Sequence, residues 1–239
     1  MVVELVRQWD GPSDVDLGGY EDGIGAFHDD ERVSMEKQYA QTILAAIYSA
    51  HDDSAETFTG AHSVLSRIAT LLKVECPPGL DSLEDSSDLV GLTDNASIRA
   101  ADASQLLYNS LLQPNSVFTD PSQATISFLH QIIMTAAVLR RLNHPVTITR
   151  AAMLVAFASE DDQRQELQKL LHHISMGPRR DGGDWVRIRE EVRWLRGWGV
   201  ANSAVDRGGP APGIFGKVDE KSLEREILKA LLQASRKCL

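Results

Sequence analysis

Large apolar residues recur three and four positions apart along most of this chain, and the two-residue alternation of a half-buried strand is nowhere sustained. A first helix is predicted over about residues 31–50, capped by Asp30, with Tyr39, Ile43 and Ile47 one turn apart. A second, capped by Asp52 and Asp53, runs to about Lys73 on a stripe of Val64, Leu65, Ile68, Leu71 and Leu72, and Pro77 and Pro78 end it. A third spans about residues 96–112. A fourth starts at Asp120 as N-cap with Pro121 at the first helical position, and reaches Leu142. Residues 147–158 are almost wholly apolar, so that short helix should be buried on most sides. Ser159 caps the next, with Leu167, Leu170, Leu171 and Ile174 on one face, and residues 184–196 present Trp185, Ile188, Val192 and Leu195. After a Gly/Pro-rich linker over about residues 197–216, a closing helix has Asp219 as N-cap and Val218 against Leu223 as a hydrophobic staple. Its stripe is Leu223, Ile227, Leu231 and Ala234, widened by Leu228 and Leu232.

Eight short helices on short connections predict an all-α fold of stacked antiparallel helix pairs, a compact bundle or an α-solenoid segment. No strict repeat is visible, and the tetratricopeptide signature is missing. Residues 1–239 read as a single helical domain. The acidic, serine-rich stretch 76–94 and the Gly/Pro-rich stretch 201–212 are expected to be its mobile loops.

Composition narrows the function. The formal net charge is −10, and the densest basic run, from Arg179 to Arg196, is interrupted by Asp181, Asp184, Glu190 and Glu191. Nucleic-acid binding needs a clustered basic surface, so that class is set aside. Two distant cysteines, Cys76 and Cys238, suit a reducing compartment and give neither a disulfide framework nor a zinc site. No signal peptide opens the chain, and the longest apolar run is far short of the ~20 residues a bilayer requires.

Several stretches approach chemical motifs and fall short. Residues 211–218, APGIFGKV, lie near P-loop spacing before a helix, but Ala211 stands where the first glycine belongs and Val218 where magnesium needs a hydroxyl. Asp14 and Asp16 open like a calcium loop, yet Gly18 and Gly25 occupy positions where oxygen ligands belong. The acidic groups after His28 and His51 sit at helix starts, where capping explains them better than a metal does. His172 and His173 lie about 100° apart on a helix and cannot converge on one ion; one should pack and the other face solvent. No serine elbow appears, Cys76 sits in a proline loop, and Glu190 and Glu191 read as a solvated ion-pairing face. No catalytic, cofactor or metal residue is assigned, and no cofactor is expected. Trp185, Trp194 and Trp198 with their interleaved arginines fit a core with a solvated rim, and also a partner-binding surface; with Leu228 and Leu232 they are the candidate protein interface.

Five stretches in order carry a family resemblance: VVELVRQWDG (2–11), YEDGIGAFHDDERVSMEKQYAQTILAAIYSA (20–50), SEDDQRQELQKLLHHI (159–174), DWVRIREEVRWLRGWGV (184–200) and GIFGKVDEKSLEREILKALLQAS (213–235). Together they resemble the Sec-thirty-nine domain of fungal secretory-pathway proteins, whose animal relatives are the neuroblastoma-amplified-sequence proteins. None is a catalytic signature. The resemblance implies a non-enzymatic α-solenoid, one arm of the Dsl-type tethering complex at the endoplasmic reticulum, acting in retrograde transport from the Golgi. Implied partners are other tether subunits and endoplasmic-reticulum SNARE proteins. The implied location is cytoplasmic and peripheral to that membrane. Family members are much longer, so the closing helix is expected to be an interior element whose Leu228 and Leu232 flank lies uncovered. Such a patch favours self-association. The alternative function is a helical adaptor unrelated to vesicle traffic.

Overall fold

The computed structural model of the protein describes residues 29–81, 83, 103–177, 181–199 and 211–236. Among them are eight α-helices and one short 3-10 turn, with no strand: α1 (Asp29–Tyr48), α2 (Ala55–Leu71), the 3-10 turn (Ala103–Leu106), α3 (Tyr108–Leu111), α4 (Gln123–Arg141), α5 (Ile148–Ala156), α6 (Glu160–Met176), α7 (Gly182–Gly197) and α8 (Glu220–Arg236). The all-helical expectation holds, and the helices pack in pairs.

α4 is the axis of the packing. Fourteen of its nineteen residues are buried, so it cannot lie at a surface, and α2, α5 and α7 pack around it. α2 runs antiparallel to it. At one end Arg140 Nη1 donates to the Asp53 carbonyl at 2.7 Å, and at the other the Glu75 amide donates to Gln123 Oε1, also at 2.7 Å. Two of the polar side chains α4 buries are matched through one atom each: Trp198 Nε1 donates to Thr135 Oγ1 at 3.1 Å, and His130 Nε2 donates to the Pro78 carbonyl at 3.0 Å, while His130 Nδ1 has no hydrogen-bond partner among the described residues. Each large side chain buried in this core stabilises the fold by about 1.5–3 kcal/mol before chain entropy is set against it.

The apolar stripes fall where the spacing put them. Ile43 and Ile47 of α1, the four α6 residues and the four α7 residues named above are all buried. α5 buries Ile148, Ala151, Ala152 and Leu154, and its remaining apolar residues pack half-buried around them.

Four boundaries differ. Asp30 lies inside α1, which begins at Asp29. α2 is capped by Ser54, whose hydroxyl accepts from the Thr57 amide at 3.1 Å, and α4 by Ser122, which accepts from Thr125. Asp52 stands behind the first cap, accepting from Ser54 Oγ and Thr57 Oγ1, and Asp120 and Pro121 precede the second as a turn. The predicted third helix is broken, with Leu107 in extended backbone between the 3-10 turn and α3. Leu106 and Leu111 are both buried while Leu107 is exposed. Five residues apart, those two leucines would point about 140° from one another on a regular helix, and the break lets both enter the core.

α6, α7 and α8 form the last layer. Arg189 pairs with Glu224 at 2.8 Å and Arg193 with Glu220 at 3.2 Å, so α7 and α8 run antiparallel with a fixed register. The more extensive packing of α8 is against α6, two helices back in the chain. The two begin side by side, since the Lys217 amide donates to Gln163 Oε1 at 2.9 Å.

Candidate interaction surface

The P-loop-like stretch is a packed plug. Ala211, Gly213, Ile214, Phe215, Gly216 and Val218 are all buried. Five of its amides are engaged within the protein: Ala211 to the Gly216 carbonyl, Gly213 to Arg196, Gly216 to Gly213, Val218 to Phe215, and Lys217 to the Gln163 side chain. A phosphate cradle requires free converging amides and a free lysine. Lys217 Nζ instead donates to the Ala158 carbonyl at 2.5 Å, closing the start of α6. The glycines are there for close approach. A Cβ on Gly213 would stand 2.1 Å from the Leu195 carbonyl oxygen, and one on Gly216 1.9 Å from that of Ala211. The end of the expected linker is therefore core, because the chain crosses directly over the last turn of α7. Residues 201–210 lie outside the described residues.

The expected acidic loop is described only over 76–81 and 83. Two imidazoles, His62 and His130, donate to the one Pro78 carbonyl at 2.7 and 3.0 Å, and Trp194 Nε1 donates to the Leu83 carbonyl at 3.1 Å. Burial, with His62 alongside, holds the His130 imidazole down to about 4. The rest of the loop, the calcium-like residues and His28 lie outside the described residues.

The three tryptophans do not form a surface. They are 8, 6 and 1% exposed in chain order, and both Trp194 and Trp198 use their N–H groups internally. Trp198 even adopts left-handed backbone at the end of α7 (φ 50°), a strained conformation for a bulky residue. Its ring is fixed by Thr135 and by an edge contact with Phe128, which over-determine the position. The interface reading of these residues gives way to core packing.

One charged cluster has a buried centre, His144 with Glu166, where the sequence marked only its exposed last member, His173. His144 Nε2 meets Glu166 Oε1 at 2.6 Å, His144 Nδ1 meets His173 Nδ1 at 3.1 Å, and Arg150 and Lys169 each approach Glu166 Oε2 to 3.5 Å. The His144 hydrogen bond, with Arg150 and Lys169 beside it, holds the Glu166 carboxyl down to about 2. These groups lock the α4–α5 connection to α6, and both ring nitrogens of His144 are taken up by Glu166 and His173. His172 and His173 are both exposed, and the His173 ring lies over His144. Glu191 is buried against Arg141 at 3.5 Å, so only Glu190 keeps the solvated role. An open groove of about 550 Å³ beside this pair is lined by Asp81, Leu83, Arg141, Arg187, Glu190 and Glu191. Charges of both signs line it, so it projects no single-sign field.

Large apolar residues stand exposed at several points among the described residues, Leu107 and Met176 included, and two of them share one face of α8. Leu228 and Leu232 are 55 and 54% exposed, while Leu223, Ile227 and Ala230 of the same helix are buried against the body. Val186 of α7 is also exposed. The ion-pair register, 193 beside 220 and 189 beside 224, places Val186 level with Ile227, one residue from Leu228. Helical spacing identified Leu228 and Leu232; Val186 joins them only through the register of two helices, which no single-helix pattern contains.

Among the described residues, fold and surface together define an all-helical body of packed helix pairs, with Lys217, His144 and Glu166 engaged in structure and two leucines of α8 exposed side by side. The chain belongs to the Sec39 family: the family profile described as secretory pathway protein Sec39 matches residues 1–237 of the 239. It is thus a member of a secretory-pathway family, consistent with a role in transport. Comparison with curated proteins and with solved structures gave no match. No helix among the described residues is long and apolar enough to cross a membrane.

Proposed function

We propose that this protein is a non-catalytic scaffold of the Dsl-type tethering complex in Golgi-to-endoplasmic-reticulum vesicle transport, an α-solenoid segment held at the membrane through its partners. The match to the secretory-pathway family over residues 1–237 carries this reading. The structure supports it in two ways. Side chains with catalytic potential serve packing: Lys217 closes a carbonyl, and His144 and Glu166 fasten two helices. The antiparallel α7–α8 pair, with α8 returning beside α6, is the arrangement by which helical repeats stack.

The test is affinity purification of the full-length gene product from cell extract, followed by mass spectrometry. Recovery of tether subunits and endoplasmic-reticulum SNARE proteins is expected. Recovery of a stable complex from an unrelated pathway, with neither of these present, would replace the proposal with a general helical adaptor.

A further inference from the structure

The outward face of α8 has an unusual charge for this protein. At about 100° per residue, Lys221, Arg225, Leu228 and Leu232 fall at i, i+4, i+7 and i+11 within one narrow arc, with Lys229 at its edge. All five are exposed. The helix's carboxylates are elsewhere: Glu220 and Glu224 face the α7 seam in ion pairs with Arg193 and Arg189, and Glu226 lies on the opposite edge, bonded to Lys229 at 2.6 Å. The side chains of Lys221 and Arg225 have no ion-pair or hydrogen-bond partner among the described residues. A chain with a formal net charge of −10 therefore presents a stripe free of acid, basic in its first half and apolar in its second.

We infer that this stripe is the docking site for an acidic amphipathic helix of a protein partner, one with carboxylates spaced to meet Lys221 and Arg225 and leucine-type side chains one to three turns on to cover Leu228 and Leu232. Charge complementarity selects this occupant. A helix laid in a groove or along a helix reads its partner through anchors at i, i+3 or i+4 and i+7, and this stripe offers that spacing. Unpaired cations at one end fix the direction in which the partner lies, because like charge placed there is repelled. A second copy of this chain is a poor occupant. The stripe has no carboxylate, so two of them facing one another in either direction leave the four cations unneutralised. An anionic lipid surface is also disfavoured, since two unpaired basic groups must act against the repulsion of a net acidic chain. The inference deepens the scaffold reading by naming a partner's chemistry, and it stands on α8 alone.

The experiment is a selection from displayed helical 18-residue peptides, randomised at the outward positions, against the full 239-residue chain. Enriched peptides are expected to carry Asp or Glu and Leu or Ile at helical spacing, and to bind at least tenfold more weakly once their acids are changed to Lys. Against the double variant Lys221→Glu, Arg225→Glu, the same library should enrich Lys and Arg instead. Both substituted positions are exposed, and an unchanged thermal midpoint checks that the variant is folded. Selection with no charge preference, or an unchanged preference in the variant, overturns the inference. So does concentration-dependent dimerisation abolished by the variant, or binding to vesicles of anionic phospholipid that the peptides cannot displace. Any of these failures leaves recovery of the tether subunits by affinity purification untouched, so the two readings fail separately.

Discussion

Residues 211–218 and the helix that follows them are neighbours in sequence and opposites in physics. The first stretch has the composition of a flexible linker, yet its main chain is bonded to the ends of α6 and α7 and its apolar side chains are buried, with Pro212 half-buried. The second has the periodicity of a helix made to be buried, yet two of its leucines stand more than half exposed. Glycine and proline mark where the backbone needs freedom or close approach, and close approach occurs in cores as well as in hinges. Periodicity marks one covered face and is silent about the other side of the helix.

The sharpest way to break the contrast is to disturb the plug. Gly216→Ala forces a Cβ against the Ala211 carbonyl, and Phe215→Ala empties a fully buried ring site. These faults are opposite in kind, overfilling and void, and each should cost about 3–5 kcal/mol in urea unfolding. A loss below about 1 kcal/mol for both would return this segment to the status of a linker.

A second test uses acid. The His130 imidazole lies at about 4 in the fold against its ordinary value near 6.5, because burial opposes its charge. The unfolded chain then binds the proton more readily, so stability contributed by the neutral ring is present above pH 6.5 and falls as pH drops toward 4. The full effect is on the order of 3 kcal/mol. Glu166, held down to about 2, adds a further loss below its ordinary value, between about pH 4.5 and 2. His130→Gln, which can still donate to Pro78, should flatten the upper part of the urea-midpoint profile and leave the lower part. A profile unchanged by this variant would mean that the ring is not held neutral.

The tryptophans separate the two regions on a finer scale. Trp198→Phe keeps most of the buried ring and removes the hydrogen bond to Thr135, a loss of about 1 kcal/mol with its hydroxyl left buried. An effect on partner recovery without any change in stability would restore the interface role that burial argues against.

How much was legible follows the same division. The stripes of α1, α2 and α6 to α8 were readable because each helix buries one face, and a 3.6-residue period records that directly; α5 was readable by its almost unbroken apolar run instead. Ser159 and Asp219 were readable as caps for the same local reason, and Ser159 indeed shares a reciprocal capping box with Asp162. Ser54 and Ser122 were misassigned because acidic residues just upstream are equally good cap formers; backbone geometry chooses between them. Nothing local marks Leu107 as a break, since the break serves two leucines that meet the core from different directions. Trp194 and Trp198 are bonded to Leu83 and Thr135, 111 and 63 residues away, and a sequence pattern records no such distance. The His144 and Glu166 contact was missed likewise: 22 residues apart on different elements, they resemble any surface histidine and glutamate.

The smallest expected effect sharpens the contrast most, because it is a prediction of almost nothing. Leu228→Gln with Leu232→Gln removes two large apolar side chains from a helix and keeps good helix formers in their place. On a buried face this would be ruinous, and Leu223→Ala or Ile227→Ala, one to nine residues away, should cost about 2–5 kcal/mol each. On the outward stripe both leucines are already more than half in water, so the double change should shift stability by no more than about 0.5 kcal/mol per site. Measured together, the pairs put a large difference inside one helix of 17 residues. The contrast collapses if the glutamine pair costs more than about 2 kcal/mol, for water would then not be what these leucines face. In that event the midpoint's dependence on protein concentration decides the cause: a dependence present in the parent chain and absent from the variant means that a second copy covers the stripe.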